Sequence, residues 1–189
     1  MSTSPHHAAA PALHAAAAAA RVALLVEEGA EMASLDAVHT ALLKAGALPC
    51  FVGARPGPLE EPTVRPGRAV EQLALEAAPT RRWDALVLCE GRGRAAAPNE
   101  PPPLARQRPA LDFIREQHRR RTPILALGGA SGLLGAAGLT MMLPSGEADP
   151  RLFVCPPRSE TDPALRADAD TVTAFIASLR RGTTAAAWP

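Results

Sequence analysis

The sequence predicts a three-layer α/β/α sandwich of the flavodoxin-like type with a mainly parallel sheet. Short apolar runs of strand length alternate along the chain with longer segments in which apolar residues recur at helical spacing. The runs are apolar at nearly every position, which is typical of parallel strands that are buried on both faces. Glycines stand at several junctions between runs and helices, where the chain must turn.

The first unit of this pattern is a strand, a helix and a second strand. Residues 21–26, RVALLV, form a continuous apolar run, and a second run spans residues 48–52. Between them, apolar residues at helical spacing predict a helix that begins near Ser34, as an N-cap or first-turn residue. It extends to Ala45, and Gly46 ends it. Two parallel strands joined by one helix imply a right-handed crossover.

The middle of the chain contains one clear strand between irregular segments. Residues 53–68 are rich in proline, glycine and charge and predict a loop, with room for a short hairpin. For residues 69–78, the sequence is compatible with either a helical turn or an extended segment. Residues 84–89, DALVLC, predict the third buried strand, and residues 94–103 predict a long loop of proline and alanine.

The second half begins with an amphipathic helix that we predict over residues 104–121. We expect its buried side to contain Leu111, Phe113 and Ile114. Positive charge is favourable at a helix C-terminus, where the unsatisfied carbonyl groups lie. We therefore prefer a helix-end role over an anion-binding patch for the three arginines of the last turn, Arg119, Arg120 and Arg121.

A strand, a glycine turn and a helix of small residues follow in the segment TPILALGGASGLLGAAGL. Residues 124–127 predict the fourth buried strand, and residues 130–137 predict a closely packed helix. The turn between them lies at the carboxyl edge of the sheet, where open α/β proteins bind ligands. Its backbone N–H groups form a candidate anion site, or the vestige of an active-site elbow, at Gly128, Gly129, Ala130 and Ser131.

The turn carries no recognised catalytic motif, and we predict no catalytic residue in the chain. GGASG matches neither the phosphate-binding GxxxxGK[ST] pattern nor GxGxxG. It also differs from GxSxG, because Leu133 stands at the place of the last glycine, and no histidine lies in an obvious carboxyl-edge loop to activate Ser131. We expect the glycines to allow tight packing, so that Gly129→Val costs about 1–3 kcal/mol.

A loop over residues 141–150, a short strand over 152–155 and a closing helix over 164–180 complete the pattern. The candidates for the buried stripe of that helix are Leu165, Val172, Phe175, Ile176 and Leu179. We divide the chain into a low-complexity tail of alanine and histidine (residues 1–20), one α/β domain (21–181) and a C-terminal tail (182–189).

The composition excludes several classes of function. The chain has 189 residues and a net charge of +1, so we expect neither nucleic acid nor a membrane as its partner. No apolar stretch approaches the roughly 20 residues that span a bilayer, and the N-terminal alanine run lacks the basic region of a signal peptide. The three cysteines lack the spacing of a zinc site, and their odd number fits a reducing environment. We thus expect a cytoplasmic protein that binds no metal.

Cys89, at the end of the third strand, is the candidate reactive thiol. Its position places it at the carboxyl edge of the sheet. A neighbouring carboxylate, Glu90, opposes thiolate formation, whereas Arg92 and Arg94 favour it. With no histidine identified nearby, we expect an unreactive buried cysteine there, and the same at Cys155.

Four segments resemble, in their order and spacing, the C-terminal domain of large-subunit monofunctional haem catalases. They are RVALLVEEGAEMASLDAVHTALLKAGALP, WDALVLCEGRG, FIREQHRRRTPILALGGASGLLGAAGL and TAFIASLRRGTTAAAW. That domain is similar in fold to the class I glutamine-amidotransferase-like and intracellular-protease superfamily. The resemblance covers roughly residues 21–189 and implies a free-standing copy of the domain, because the length leaves no room for the haem-enclosing core.

The resemblance implies that the chemistry of both families is absent. Enzymes of the superfamily carry a cysteine at the strand-to-helix elbow and an acidic residue after the first strand, which by position fall on Gly128 and on or near Ser34. Haem catalases ligate iron through a tyrosinate, and this chain contains no tyrosine. The chain would then hold no cofactor, and haem would belong only to a separate catalase core.

The function that follows is a non-catalytic stabilising or interaction module. Its partner would be a haem catalase core, which links it to peroxide defence, or a second copy of itself as a homo-oligomer. The alternative is a small-molecule enzyme or redox sensor of the same superfamily that uses Cys89 or the turn over residues 128–132. A degenerate gene product without a selected activity is the third interpretation.

Overall fold

The computed structural model describes residues 19–26, 32–53, 72–89, 103–155 and 165–185. The loops expected over 53–68 and 94–103 lie almost entirely outside the described residues, as do the N-terminal tail up to residue 18 and the last four residues. The described strands are β1 (Arg21–Val26), β2 (Leu48–Gly53), β3 (Gln72–Ala74), β4 (Ala85–Cys89), β5 (Ile124–Leu127) and β6 (Leu152–Cys155).

Helices and shorter turns alternate with these strands. The α-helices are α1 (Met32–Lys44), α2 (Arg108–Arg119), α3 (Ser131–Ala136) and α4 (Leu165–Ala185). Turns of 3₁₀ helix cover Leu75–Thr80, Pro103–Arg106 and Gly128–Ala130. The predicted β1-α1-β2 unit is confirmed, and Gly46, which follows α1, has the positive φ of +80° that a helix-ending glycine adopts.

The six strands form one sheet with the order β3-β2-β1-β4-β5-β6, and every neighbouring pair is parallel. The chain first adds strands on one side of β1 and then continues with β4 on the other side. Leaving out the three-residue β3, the order β2-β1-β4-β5-β6 is the flavodoxin-like order. The predicted fold class is therefore confirmed.

Each face of the sheet carries its own hydrophobic core, because successive side chains of a strand point to opposite faces. Leu24 and its neighbours on one face pack with side chains of α1 and α4, including Leu35, Leu42, Phe175 and Leu179. Leu25 and its neighbours on the other face pack with α2, α3 and two of the 3₁₀ turns, including Leu75, Leu104, Phe113, Ile114 and Leu133. The sheet is thus the middle layer of three.

The helix predicted over 104–121 is shorter in the structure. A 3₁₀ turn and the extended residue Gln107 precede α2, whose first turn contains Pro109. Proline suits the first turn, where its missing N–H would have no helical partner. The helix ends before Arg121, which has φ +60°. Phe113 and Ile114 are buried as expected, whereas Leu111 is only partly buried.

Residues 69–71 lie outside the described residues, and residues 72–78 contain both of the structures that the sequence left open, an extended segment and a helical turn. The short strand β3 is followed by the 3₁₀ turn Leu75–Thr80, with Pro79 inside it. The indole Nε1 of buried Trp83 donates to the carbonyl of Ala78 at 2.8 Å, which fixes the path from this turn into β4.

The closing helix α4 continues to Ala185, five residues beyond the predicted end. Phe175 and Leu179 are buried, and Val172 and Ile176 are partly buried against the same core. The side chain of Leu165 lies outside the described residues.

Candidate functional site

The turn after β5 has the geometry of a strand-to-helix elbow. β5 pairs with β4 on one side and with β6 on the other, so that its last residue, Leu127, lies between Cys89 and Cys155. Gly128 then has φ +60°, and the 3₁₀ turn leads directly into α3. A nucleophile at such an elbow is held above the edge of the sheet in a strained conformation. In this chain glycine occupies that position.

The backbone conformation explains why glycine suits residue 128. A side chain in the left-handed region costs roughly 1–2 kcal/mol, and glycine avoids that cost. We expected close packing at Gly129, but Gly129 is exposed and the positive φ belongs to Gly128. The constraint on the turn is therefore the left-handed backbone conformation of residue 128, which glycine adopts without strain.

The helix that follows the elbow is too short to support an anion site by itself. α3 has six residues, and its N-cap residue Ala130 makes no side-chain capping bond. Few aligned peptide dipoles add up over such a length. Ala130 is buried, Gly129 is exposed, and Gly128 and Ser131 are partly exposed. The anion site at these residues stays a prediction.

The three thiols lie inside the cores. Cys89 and Cys155 belong to the core on the α1 and α4 face, and Cys50 belongs to the opposite core. Burial raises the pKa of Cys89 to about 12, so at neutral pH its sulfur is a thiol and a poor nucleophile. Cys89 and Cys155 are separated by two strand spacings, about 9–10 Å, which is too far for a disulfide.

The residues that flank the elbow at the carboxyl edge are described only in part. Ser34, which matches the superfamily's acidic position by sequence, lies in the first turn of α1. Glu27, Glu28 and Glu31, which follow β1, lie outside the described residues, as does Glu90 after β4. Within the described part of the carboxyl edge, the titratable side chains nearest the elbow in the sheet register are the buried thiols Cys89 and Cys155.

A charged cluster at the opposite edge of the sheet was missed by sequence analysis. Asp149 is only 3% exposed, and its carboxylate accepts hydrogen bonds from the Nε of Arg151 at 3.0 Å and from the Nε2 of His118 at 3.0 Å. The backbone N–H of Arg151 donates to the same carboxylate at 3.0 Å. The cluster joins the last turn of α2 to the start of β6.

The ionised form of Asp149 is strongly favoured by these bonds. Burial alone would raise its pKa, but hydrogen bonds from Arg151 and His118, with the positive charge of Arg151, outweigh that effect and lower it to about 2. No sequence motif marks the cluster, because His118 and Asp149 are 31 residues apart. A short Asp-x-Arg pattern before β6 is the only local signal that could have suggested it.

Two arginines at the end of α2 pair within their own helix. The Nε of Arg120 donates to Glu116 at 2.7 Å, and Arg119 also contacts Glu116. The hydrogen bond from Arg120 lowers the pKa of Glu116, with smaller contributions from the charges of both arginines. The helix-end role that we preferred for the three arginines stays a prediction.

The described ranges contain neither a cluster of metal ligands nor a membrane-spanning helix. No group of three or more histidine, cysteine, aspartate or glutamate side chains there could hold a metal ion. None of the helices in those ranges is long and apolar enough to cross a bilayer.

Sequence comparisons find no relative: no protein-family model matches the chain, and no curated protein sequence does. Solved structures do resemble it. One is a two-domain protein of Anabaena variabilis with DJ-1/ThiJ/PfpI-like and ferritin-like domains, at TM-score 0.62 and 17% identity over 85% of this chain. The chain covers 50% of that protein. Another is oxidized DJ-1 of Toxoplasma gondii, at TM-score 0.55 and 10% identity over 90% of this chain and 99% of that one.

At these identities the likeness concerns the fold. Both matches contain a DJ-1-like domain, and such domains belong to the class I glutamine-amidotransferase-like superfamily. Neither match is a catalase, so the catalase resemblance rests on the sequence segments alone. The likeness thus extends to the fold alone, one parallel six-stranded sheet flanked by helices that is consistent with these DJ-1-like structures.

Proposed function

We propose that this chain is a non-enzymatic domain of the DJ-1/PfpI-like fold that acts by binding. The observation that carries the proposal is Gly128 at φ +60°, because the elbow keeps its conformation but presents no nucleophile. The thiols beside it are buried, and burial raises the pKa of Cys89 to about 12. Elbow geometry without a reactive group supports a role in binding over a role in nucleophilic catalysis.

The direct test is alkylation of the native chain with iodoacetamide at neutral pH, with the modified residues located by mass spectrometry. We expect Cys89, Cys50 and Cys155 to react at similarly slow rates, since all three are buried. The same chain in urea provides the control, because unfolding exposes all three thiols. Rapid and stoichiometric modification of Cys89 in the native chain would overturn the non-enzymatic proposal.

A redox sensor is the second candidate function. Two observations favour it: Cys89 and Cys155 flank the elbow strand in the sheet register, and a DJ-1 in its oxidized form is among the similar structures. These structures support a role within the DJ-1/PfpI-like group more than a role specific to catalases. A sensing role predicts that dilute hydrogen peroxide oxidises Cys89 before Cys50, which the same mass-spectrometric experiment measures. Equal, slow oxidation of the two residues would leave this candidate without support.

The finer form of the binding proposal is a module that stabilises a haem catalase or its assembly, and it rests on the sequence resemblance. The chain itself does not fit a haem, because it contains no tyrosine to ligate the iron and its described sheet faces are filled by apolar side chains. Titration with haemin, followed by Soret absorbance and oxygen evolution from peroxide, should give neither a stoichiometric band nor turnover. Stoichiometric haem with turnover would contradict it.

A further inference from the structure

The amino edge of the sheet, opposite the elbow, brings together residues from all parts of the chain. Backbone bonds align the strand starts: Leu48 N–H donates to Ala20, Asp84 N–H donates to Arg21, and Ile124 N–H donates to Arg151. Neighbouring strands lie about 4.8 Å apart, so the starts of β2, β1, β4, β5 and β6 form a continuous row about 20 Å long. We call this surface the amino edge.

Positive charge is concentrated at the amino edge. Eight cationic side chains of the described residues lie there, before or at the start of a strand or at the end of a helix: Arg21, Lys44, Arg81, Arg82, Arg119, Arg120, Arg121 and Arg151. Four carboxylates of the described residues lie there too: Asp84, Glu116, Glu147 and Asp149. The described part of the amino edge therefore has an excess of four positive charges, whereas the whole chain has a net charge of +1.

Part of this charge is available to a partner. Arg119 and Arg120 contact Glu116, and Arg151 is bonded to Asp149. Four other cations are exposed at the amino edge: Arg21, Lys44, Arg82 and Arg121. A partner that docks here with carboxylates would replace the water around these four groups.

Exposed apolar side chains occupy the same edge. Among the described residues, the large apolar side chains classed as exposed are Leu48 at 52%, Met141 at 39% and Met142 at 52%. Leu48 begins β2, and the carbonyl of Met141 accepts from the N–H of Asp149, beside the start of β6. Arginine and methionine are enriched at protein interfaces. This combination favours a protein partner over a phosphate backbone, which would use the arginines but not the methionines.

The loop that presents the methionines is fixed by buried charge. Asp149 binds the backbone and guanidinium of Arg151 and the ring of His118, which ties the loop to α2 and β6. Met142 forms an antiparallel bridge with Ala148 across the same loop. A surface held in one conformation loses little entropy when a partner binds. The exposed thioethers are therefore part of a preorganised surface.

We propose that the amino edge is a docking surface for an acidic protein segment that carries apolar side chains. The segment's carboxylates pair with the exposed cations, and its apolar groups cover Leu48, Met141 and Met142. This deepens the proposed binding function, on which it rests, by naming the surface and the chemistry of the partner. It makes no use of the elbow or of Cys89.

The probe for this proposal is a fluorescein-labelled peptide of glutamate with leucine at every fourth position, measured by fluorescence anisotropy at physiological salt. Polyglutamate of the same length and a DNA duplex of equal charge are the comparison probes. We expect the Glu/Leu peptide to bind most tightly. The double variant Lys44→Glu/Arg82→Glu, which removes the charge excess of the amino edge, should weaken it at least about tenfold. Met142→Ser should reduce its affinity towards that of polyglutamate, because one of the three exposed apolar side chains is removed.

Arg108→Glu is the control for charge reversal away from the amino edge, because the side chain of Arg108 is 91% exposed but lies at the opposite end of α2. Equal losses of peptide affinity in the control and in the double variant would overturn the proposal. Tighter binding of DNA than of the Glu/Leu peptide, or an unchanged peptide affinity in Met142→Ser, would do the same. If the wild-type chain sediments as a dimer and the double variant as a monomer, the partner at the amino edge is a second copy of this chain. That result would also overturn the proposal. Each of these failures leaves the alkylation and haem results unchanged, so it is distinguishable from failure of the proposed function.

Discussion

Asp149→Asn tests whether the buried cluster at the amino edge stabilises the fold through charge. Asparagine is close in shape to protonated aspartate but cannot be ionised, and its amide group places a donor among the donors of Arg151 and His118. The folded-state pKa of Asp149 is about 2, against an ordinary value of 3.8. That difference corresponds to about 2 kcal/mol of folding free energy at neutral pH. Because the folded pKa is the lower one, this contribution is complete above about pH 5 and is lost as the pH falls towards 2.

Urea unfolding, followed by the fluorescence of buried Trp83, measures the effect. At pH 7 we expect Asp149→Asn to lower the free energy of unfolding by about 2 kcal/mol or more. At pH 3 only about half of the wild-type contribution remains, so the difference between the two proteins should shrink by about 1 kcal/mol. Asp36→Asn, at an exposed position on α1, is the control and should behave like the wild type at both pH values. A difference that stays constant between pH 7 and pH 3 would refute the electrostatic reasoning.

Two further predictions concern the elbow and its neighbouring thiol. Gly128→Ala should lower the free energy of unfolding by about 1–2 kcal/mol, because residue 128 has a φ of +60°. Gly135→Ala should instead raise it by about 0.5–1 kcal/mol, since a Cβ at residue 135 meets nothing within 4 Å. Equal effects of the two substitutions in urea unfolding would contradict the elbow conformation. The alkylation rate of Cys89 in the native chain should still be rising at pH 10, because its pKa is about 12; a plateau near pH 8 to 9 would show that the thiol is solvated.

The local pattern of the sequence was sufficient to predict most of the architecture. β1, β2, β4, β5 and β6 lie within one residue of the predicted ranges, because a strand that is buried on both faces must be apolar throughout. The prediction was least accurate where a proline or a long-range contact decides the structure. Pro109 shortens the helix before β5, and β3 forms only because Gln72–Ala74 finds a partner in β2.

The sequence predicted the geometry of the candidate site but only part of its chemistry. The elbow lies where the glycines indicated, although the residue with the positive φ is Gly128 and not Gly129. The sequence predicted an unreactive buried cysteine at Cys89, although nearby charges favour opposite outcomes, and the predicted burial is confirmed. Burial on the α1 and α4 face is a property of the packed sheet, and it raises the thiol pKa.

The sequence by itself determined the parallel α/β fold and the absence of a side chain at the elbow, because both are properties of consecutive residues. Only the tertiary structure decided how far burial raises the pKa of Cys89, that Asp149 meets His118 and Arg151, and that the exposed cations and methionines share one edge. The physical reason is the same in each case. Burial, pKa and surface charge depend on which side chains become neighbours in space, and in a parallel sheet those neighbours come from strands that are distant along the chain.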